Sequence, residues 1–359
     1  MKKIDIIAGA RPNFMKIAPI IDLINKCNKL SFRLIHTGQH YDDNMSGNFF
    51  KELQIPKPDI NLGVGSGTQA KQTADIMVEY EKTLIKNPSD ICLVVGDVNS
   101  TMACAIVAKK MNIKVAHVEA GIRSFDLTMP EEINRLVTDS ITDYFFTTSD
   151  IANSNLKKAG VNSKNIFFVG NTMIDTLLKH MPKFHKPSFF NKLKLSKKKY
   201  IVLTMHRPSN VDCEKKITRI LNAIVKNVNN SPVLFPVHPR TLKIIERIKL
   251  TFDNIHFTPP MSYFEFNYMV QNSKCVITDS GGITEEATVM DVPCITLRDN
   301  TERPETITLG TNELVGSDPL KIASALKKVF SENWKKSSIP NLWDGKAADR
   351  IVNHLVDLV

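Results

Sequence analysis

Acidic side chains follow two neighbouring apolar segments in the middle of the chain. Asp97 comes after one apolar run and Glu119 ends the next, while Glu131 and Glu132 open a helix that we predict to begin at Pro130. Because the carboxyl ends of adjacent parallel strands meet at one edge of a sheet, we expect these carboxylates to converge on one crevice. Converging carboxylates serve as general acids and bases, or they hold a divalent cation.

Some of these acids also have a simpler structural explanation. Asp97 can cap the helix that follows it, and Glu131 or Glu132 suits the positive end of a helix dipole. Glu119 has no such explanation, since it interrupts an apolar strand, where a buried carboxylate without a role is costly. There is no DxD sequence, and one Asp with two Glu on separate elements is not a diagnostic metal-ligand set. The pattern therefore favours acid–base catalysis over a metal site.

Histidines and cations follow strands in the second half of the chain and at its start. His206 lies after the predicted strand 200–204, where it can carry a proton near neutral pH. His238 and Arg240 follow the next strand, and Arg240 suits either a phosphate or solvent. Arg11 and Lys16 lie in the loop 9–16 between the first predicted strand and the first predicted helix, where the free N–H groups of the helix N-terminus attract anions. That loop lacks GxGxxG, so an ordinary turn with two surface cations is the alternative there.

The most specific pattern is TDSGGITEE, in which an apolar strand runs into Ser280-Gly281-Gly282 and then a helix. The glycines let backbone N–H groups approach a ligand closely, and a helix N-terminus favours an anion. Glu286, one turn later, can accept hydrogen bonds from ribose hydroxyls, and Arg303 can neutralise a diphosphate. The pattern indicates a nucleoside diphosphate site, with a glycine turn and a surface arginine as the plainer alternative.

These residues need a scaffold of parallel strands. Strands alternate with helices along the chain, which predicts α/β sheets built from βαβ units. We expect two doubly wound Rossmann-like domains facing a cleft: 1–172, with the acids, and 173–343, with the helix at 344–359 folding back onto the first. The segment 179–199 holds eight lysines and is predicted as a solvated connection rather than a nucleic-acid-binding arm.

Local patterns also predict the secondary structure of three segments in the first part of the chain. The N-terminus begins like a signal peptide, but its apolar run is short and contains Asp5, so we predict a first strand over 3–8. We predict a helix over 43–53, and the stretch 56–69, PKPDINLGVGSGTQ, is predicted as a long loop.

Composition bounds the class of protein. The 359 residues are 42% hydrophobic and 23% charged, as in a soluble globular protein, and no apolar run reaches the length of a membrane span. The net charge of +10 suggests an anionic partner, either nucleic acid or a phosphorylated small molecule. Cysteines are scattered without CxxC, and four lie in apolar segments, so we expect buried free thiols in a reducing compartment. These four are Cys92, Cys104, Cys275 and Cys294.

The motifs, taken in order, are diagnostic. GARPNFMK, GDVNST, HVEAGIRS, MPEEINR, HR at 206–207, DSGGITEEA and RDNTERPETITLGTN together resemble the non-hydrolysing UDP-N-acetylglucosamine 2-epimerases. The resemblance implies a GT-B-like arrangement and a cytoplasmic homodimer with no membrane or nucleic-acid partner. It also implies a UDP-sugar substrate, no metal and no cofactor. The expected reaction is C2 epimerisation by elimination of UDP to a glycal and re-addition, for surface polysaccharide precursors.

The resemblance also implies roles for individual residues. Asp97, Glu119, Glu131 and His206 match catalytic positions, which leaves Glu132 as a helix-end acid. The matching substrate-binding positions are Arg11, Lys16, Arg135, His238, Arg240, Ser280, Gly281, Gly282, Glu286 and Arg303.

One departure from the family pattern concerns the sugar. The spacing from Glu119 to Pro130 is about two residues shorter than in the best-known bacterial members, and a subgroup with similar motifs acts on diacetamido uronic acid nucleotides. That substrate is one alternative, and a GT-B glycosyltransferase is another. In some members, residues matching Gln39 and His40 help to form a second, regulatory substrate site.

Overall fold

The computed structural model describes residues 1–38, 52–237, 239–248 and 252–358. They form two compact units, one of Met1–Lys179 with Asn341–Val359 and the other of His180–Pro340. Each unit alternates strands with helices around its own parallel sheet, as the apolar segments predict. The α/β class with two doubly wound Rossmann-like units is thereby confirmed.

The first unit contains a seven-stranded sheet in the order β3-β2-β1-β4-β5-β6-β7. Its elements are β1 (Lys2–Ala8), α1 (Arg11–Ile24), β2 (Leu30–His36), β3 (Ile60–Asn61), α2 (Gln69–Lys86), β4 (Ile91–Val95), α3 (Asn99–Lys110), β5 (Lys114–Ala120), α4 (Pro130–Ile141), β6 (Tyr144–Thr147), α5 (Asp150–Lys158), β7 (Ile166–Phe168) and α6 (Thr172–His180). The strand order reverses between β1 and β4, and ligands of open α/β sheets bind at such a switch point.

The second unit contains a six-stranded sheet in the order β10-β9-β8-β11-β12-β13, which reverses between β8 and β11. Its elements are α7 (Phe189–Lys192), β8 (Ile201–Thr204), α8 (Pro208–Val211), α9 (Glu214–Lys226), β9 (Val233–Pro236), α10 (Pro239–Arg247), β10 (Ile255–Thr258), α11 (Tyr263–Gln271), β11 (Cys275–Thr278), α12 (Gly281–Val289), β12 (Cys294–Thr296), α13 (Pro304–Thr308), β13 (Asn312–Leu314) and α14 (Pro319–Phe330).

Residues of the parallel strands supply much of the buried core of each unit. All five residues of β4 are buried, which explains its unbroken apolar sequence. Asp5, the acid inside β1, is paired rather than solvated: Arg33 donates to both of its oxygens at 2.8 and 2.7 Å, and the Tyr80 hydroxyl donates at 3.0 Å. Burial of this carboxylate is therefore compensated by three hydrogen bonds.

The chain end belongs to the first unit. The C-terminal helix, Ala347–Asp357, begins where the Asp175 carboxylate accepts the N–H groups of Ala347 and Ala348 at 3.1 and 2.7 Å. The Trp343 indole donates to the Thr148 carbonyl at 3.0 Å and is buried. This helix needs the rest of the unit because its N-terminal cap comes from another helix.

Several local predictions can be compared with these elements. The strand at the N-terminus is confirmed, and the four cysteines placed in apolar segments are buried free thiols. The stretch 56–69 is not wholly loop, since it contains the two-residue strand β3. The helix predicted over 43–53 lies mostly outside the described residues.

The segment 179–199 is more structured than a solvated connection. Its lysines are exposed, as predicted, but Phe190 and Leu195 are buried in the core of the second unit. Phe184 meets the rings of Tyr263 and Phe264. The prediction was drawn from the lysines and did not account for the few apolar side chains, which bury this segment against the second unit. Within the described residues, no helix is long and apolar enough to cross a membrane, and no cluster of His, Cys, Asp and Glu is arranged to hold a metal ion.

Candidate active site

Asp97 follows β4, and Glu119 lies at the end of β5. Because β4 and β5 are neighbours in the sheet, the two acids share one edge. Helix α4 reaches the first of them through Arg135. The Arg135 guanidinium donates to the Asp97 carboxylate at 3.0 and 2.6 Å, and to Glu132 at 2.6 Å. Arg135 is buried, whereas the Asp97 side chain keeps 27% of its surface exposed. Arg135 therefore fixes a carboxylate that remains open to a ligand, and substrate contact by Arg135 stays a prediction.

Glu119 has an unusual backbone. Its φ is +76°, in the left-handed region that non-glycine residues rarely adopt, and the β5–β6 register shifts at this residue. Its carboxylate lies 2.5 Å from the Lys16 ammonium, and Glu119 is only 7% exposed. Strained backbone persists where surrounding structure holds it, and such positions cluster at functional sites. The buried ion pair explains how a carboxylate is accommodated at the end of an apolar strand.

Glu131 and Glu132 are adjacent in α4 but have different surroundings. Glu132 is 1% exposed, and its carboxylate accepts the Ser124 N–H and hydroxyl, the Phe125 N–H and Arg135. Glu132 is therefore more than a helix-end acid, because it holds the loop that precedes α4. Glu131 is exposed on the same turn. Its predicted catalytic role is consistent with that exposure and stays a prediction.

A second buried network lies beside β5. The His117 ring bonds through Nδ1 to Asp139 at 2.7 Å and through Nε2 to the Gly96 carbonyl at 2.9 Å. Asp139 also accepts the Gly121 N–H at 3.0 Å and pairs with Arg123 at 2.6 Å. Burial acts to raise the pKa of Asp139, but its hydrogen bond with His117 and the nearby cations hold that pKa below the ordinary value.

The loop before α1 is fixed by Asn13. Its Oδ1 accepts the N–H groups of Gly9 and Ala10, and its amide donates to the Val95 carbonyl at 3.0 Å. These bonds bring the start of α1 to the end of β4, beside the acidic edge. The side chains of Arg11 and Arg240, and the whole of Gln39, His40 and His238, lie outside the described part of the structure, so their predicted roles stay predictions.

In the second unit, His206 is held by a buried carboxylate. His206 Nδ1 lies 2.7 Å from Asp279, and its side chain is 61% exposed while that of Asp279 is 0% exposed. Asp279 also accepts the N–H groups of His206 and Arg207 and the Asn210 amide, at 3.0–3.2 Å. Burial acts to raise the pKa of Asp279, yet the hydrogen bond and charge of His206 and the other donors hold it below the ordinary value.

This arrangement defines which imidazole nitrogen is available. Because an ionised carboxylate only accepts, Nδ1 carries a proton and Nε2 is directed away from Asp279. The arrangement is that of an oriented general acid or base.

The glycine turn lies at the N-terminus of α12, as the sequence predicts. Ser280 precedes the helix, and among the described residues no side-chain bond from Ser280 caps it. The turn is fixed by the ends of β11 and β8. The Ser280 N–H donates to the hydroxyl of Thr278, which bonds the Thr204 hydroxyl at 2.6 Å. Ser280, Gly281 and Gly282 are partly exposed. The helix end is therefore built to offer N–H groups to an anion.

Glu286 is buried in α12 and accepts the Tyr263 hydroxyl at 2.7 Å. Burial raises its pKa to about 7; Tyr263 opposes this shift and the neighbouring Glu285 adds to it. Glu285 itself pairs with Arg303, which is also buried. Arg303 has a carboxylate partner within its own unit, so neutralisation of a diphosphate by Arg303 stays a prediction.

Sequence reasoning did not assign an orienting role to any of the residues that hold the predicted ones, which are His117, Asp139, Glu132, Asp279 and Glu285. Each is a charged or titratable residue within or beside a motif, which was the available signal. None could be paired with its partner, because each partner lies on another element or another turn of helix.

The fold and these residues define an α/β protein with oriented carboxylates and an oriented histidine at strand ends, and with a partly exposed glycine turn at a helix N-terminus. A family model described as UDP-N-acetylglucosamine 2-epimerase matches residues 23–356. The UDP-N-acetylglucosamine 2-epimerase of Methanocaldococcus jannaschii is 42% identical over 98% of each chain. A crystal structure of the M. jannaschii UDP-GlcNAc 2-epimerase in complex with UDP-GlcNAc and UDP superposes with a TM-score of 0.89, at 41% identity over 99% of each chain.

A second relative is named for a different sugar. The UDP-2,3-diacetamido-2,3-dideoxy-D-glucuronate 2-epimerase of Pseudomonas aeruginosa is 38% identical, covering 99% of this chain and 100% of its own. The chain belongs to the UDP-N-acetylglucosamine 2-epimerase family, which confirms the resemblance found in its motifs, and it is an isomerase.

Proposed function

We propose that this chain converts UDP-N-acetylglucosamine to UDP-N-acetylmannosamine by epimerisation at C2, without net hydrolysis. The observation that carries the proposal is the acidic edge. There, Asp97 is fixed by Arg135 and Glu119 is held in a strained backbone beside Lys16. Two carboxylates held in fixed positions at neighbouring strand ends suit a reaction that removes one proton from a carbon and returns another. The relatives named as UDP-N-acetylglucosamine 2-epimerases support the substrate.

The chemistry explains why several proton carriers are needed. The C2 hydrogen lies beside an acetamido group rather than a ketone and is barely acidic. Its removal becomes feasible when the C1–O bond to UDP breaks in the same elimination, which leaves a glycal and UDP. Protonation of C2 from the opposite face and re-addition of UDP at C1 then give the epimer. Asp97, Glu119 and Glu131 are the proposed proton carriers in the first unit, and His206 is the proposed one in the second.

The same reaction needs stabilisation of the departing diphosphate. The N-terminus of α12, with Ser280 and the two glycines that follow it, supplies backbone N–H groups for that charge. Lys16 has three N–H donors, so its bond to Glu119 leaves donors for a ligand oxygen. Glu286 is proposed to accept the ribose hydroxyls. No redox cofactor or metal is required by this route.

A second candidate substrate is a UDP-diacetamido uronic acid. The observation that favours it is the 38% identity to the P. aeruginosa enzyme along nearly the whole chain. The shortened spacing before Pro130 is a further reason, because Glu132 clamps this loop through Ser124 and Phe125. A clamped loop next to Glu131 is a place where sugar substituents would be distinguished. Turnover of both substrates under identical conditions decides between them.

We also propose that the chain acts as a cytoplasmic homodimer that supplies surface polysaccharide precursors. These three statements rest on the family resemblance. Light scattering of the purified protein tests the dimer, and deletion of the gene followed by sugar analysis of the cell surface tests the pathway.

The deciding experiment is NMR of UDP-N-acetylglucosamine incubated with the protein in heavy water. We expect a UDP-N-acetylmannosamine spectrum with deuterium at C2 of the product. Free N-acetylmannosamine with UDP would instead show a hydrolysing enzyme. Transfer only to an added acceptor would show a glycosyltransferase. Epimerisation without deuterium would refute the proton exchange proposed for the acidic edge.

A matched pair of variants ties the activity to this site. Glu119→Gln should lose at least about a hundredfold in kcat, because general acid–base catalysis contributes roughly 10²–10⁴. Glu79→Gln changes a carboxylate of α2 that pairs with Lys82 on the surface, and it should keep wild-type turnover. Equal rates in the two variants would contradict the assignment of Glu119.

A further inference from the structure

His117 lies in β5 two residues before Glu119 and is completely buried. Both of its ring nitrogens bond to groups on other elements, Asp139 in α4 and the Gly96 carbonyl after β4. Both partners are acceptors: a carbonyl oxygen has no proton to donate, and the pairing of Asp139 with Arg123 favours its ionised form. Both imidazole nitrogens therefore face acceptors, which is the arrangement in which each nitrogen donates.

The bonds of His117 join the two strand ends that carry the acids. Gly96, whose carbonyl it holds, immediately precedes Asp97 and has φ +69°. Asp139, held at Nδ1, accepts the N–H of Gly121, two residues after Glu119. Fixed points therefore lie on both sides of Glu119, at His117 and at Gly121, and they span the residue with φ +76°. Backbone strain of this kind persists only when surrounding structure over-determines it.

We propose that His117, as a buried imidazolium, is a positioning residue that holds Glu119 in its left-handed conformation against Lys16. It does not touch substrate. This inference rests on the proposed function, because it assigns His117 to the carboxylate that is proposed to move the C2 proton. Helix α4 thereby orients both acids of the edge: Arg135 acts on Asp97, and Asp139 acts through His117 on the backbone at Glu119.

Two substitutions separate the two bonds. His117→Asn places an amide near the Nδ1 position, which keeps donation to Asp139 and loses the Gly96 bond. His117→Gln places its amide near the Nε2 position, which keeps the Gly96 bond and loses Asp139. We expect each to lower kcat by about a hundredfold, the lower end of acid–base catalysis. KM for the UDP-sugar should change less than about twofold, because the residues proposed to bind UDP are untouched.

The control is Asp143→Asn. Asp143 bonds the Val115 N–H at the opposite end of β5, at 2.9 Å, so the variant disturbs the same strand away from Glu119. We expect it to lose stability while keeping wild-type kcat and KM. If Asp143→Asn lowers kcat as much as the His117 variants do, or if those variants keep kcat within about threefold of wild type, the positioning role is refuted.

A measurement on the unaltered protein keeps the inference testable if the variants fail to fold. In protein labelled with 15N at histidine, His117 should show two protonated ring nitrogens at neutral pH. A single protonated nitrogen would overturn the imidazolium. This readout does not need turnover, so an inactive wild-type protein would remove the proposed function while the NMR spectrum still decides the state of His117.

Discussion

Replacement of Asp279 by asparagine is the sharpest test of the second unit. The Asp279 carboxylate accepts His206 Nδ1 at 2.7 Å and the backbone N–H groups of His206 and Arg207. It also accepts the Asn210 amide at 3.1 Å. The substituted amide would have one acceptor oxygen in place of two and would direct an NH2 group at donors. Because hydrogen bonds to charged groups contribute roughly 1.5–3 kcal/mol, we expect the free energy of unfolding to fall by about 3 kcal/mol.

The effect on catalysis should exceed the effect on binding. The carboxylate of Asp279 keeps a proton on Nδ1 of His206. Without that charge, neither the orientation of the ring nor the protonation of Nε2 is fixed for proton transfer. We expect kcat to fall by about 10²–10⁴, the range of general acid–base catalysis, with KM within about twofold. The double variant Asp279→Asn/His206→Asn should be no slower than His206→Asn alone, because the two residues act as one unit.

The assay is the initial epimerisation rate by NMR, with unfolding in urea measured on the same preparations. Asp5→Asn is the control, because Asp5 is an equally buried acid that pairs with Arg33 and lies in β1, a strand that contains no proposed proton carrier. It should lose stability but keep kcat. Additive losses in the double variant, or kcat within about threefold of wild type in Asp279→Asn, would refute the dyad.

Three further predictions concern strain and charge. Gly170 has φ +92°, and a Cβ there would lie 2.0 Å from a backbone carbonyl oxygen, so Gly170→Ala should lower the free energy of unfolding in urea by more than about 3 kcal/mol. Gly160 has φ +85° but open space around it, so Gly160→Ala should lower that free energy by only about 1 kcal/mol. Burial raises the pKa of Asp175 to about 6 from 3.8, so its contribution to stability is full below pH 3.8 and is lost as the pH rises through 6. Thermal unfolding across that range should show the free energy of unfolding fall by about 3 kcal/mol, and this fall should be absent in Asp175→Asn. Burial likewise raises the pKa of Glu286 to about 7, and its ionised form is the one proposed to accept ribose hydroxyls. Calorimetry in an inactive Glu119→Gln background should therefore show the affinity for the UDP-sugar rise by up to about tenfold from pH 6 to 8. Glu286→Gln should abolish that rise.

Much of the scaffold was predictable because it follows from local sequence. The apolar runs of β4, β5, β8 and β11 identify buried parallel strands without reference to the rest of the chain. Helix α4 begins at Pro130, where proline is favoured, and α12 begins directly after Ser280. The regions where prediction was wrong have mixed local signals, such as the lysine-rich segment 179–199 with its few buried aromatic and aliphatic side chains.

The candidate site was only half predictable. The identities of Asp97, Glu119 and His206 followed from their positions after strands, but the environment of each did not. Glu131 and Glu132 illustrate this limit, because adjacent residues of one helix turn differ in burial only through what α4 packs against. Spacing alone could not distinguish the exposed Glu131 from the buried Glu132 that holds the preceding loop.

The sequence by itself determined the two parallel sheets, the glycine turn at α12 and the carboxylates at neighbouring strand ends. The tertiary structure alone decided the pairings: Lys16 with Glu119, Arg135 with Asp97, His206 with Asp279. The physical reason is range. Strand and helix patterns arise from residues a few positions apart, whereas these ion pairs join residues distant in the chain, and their geometry depends on how the strands and helices between them pack.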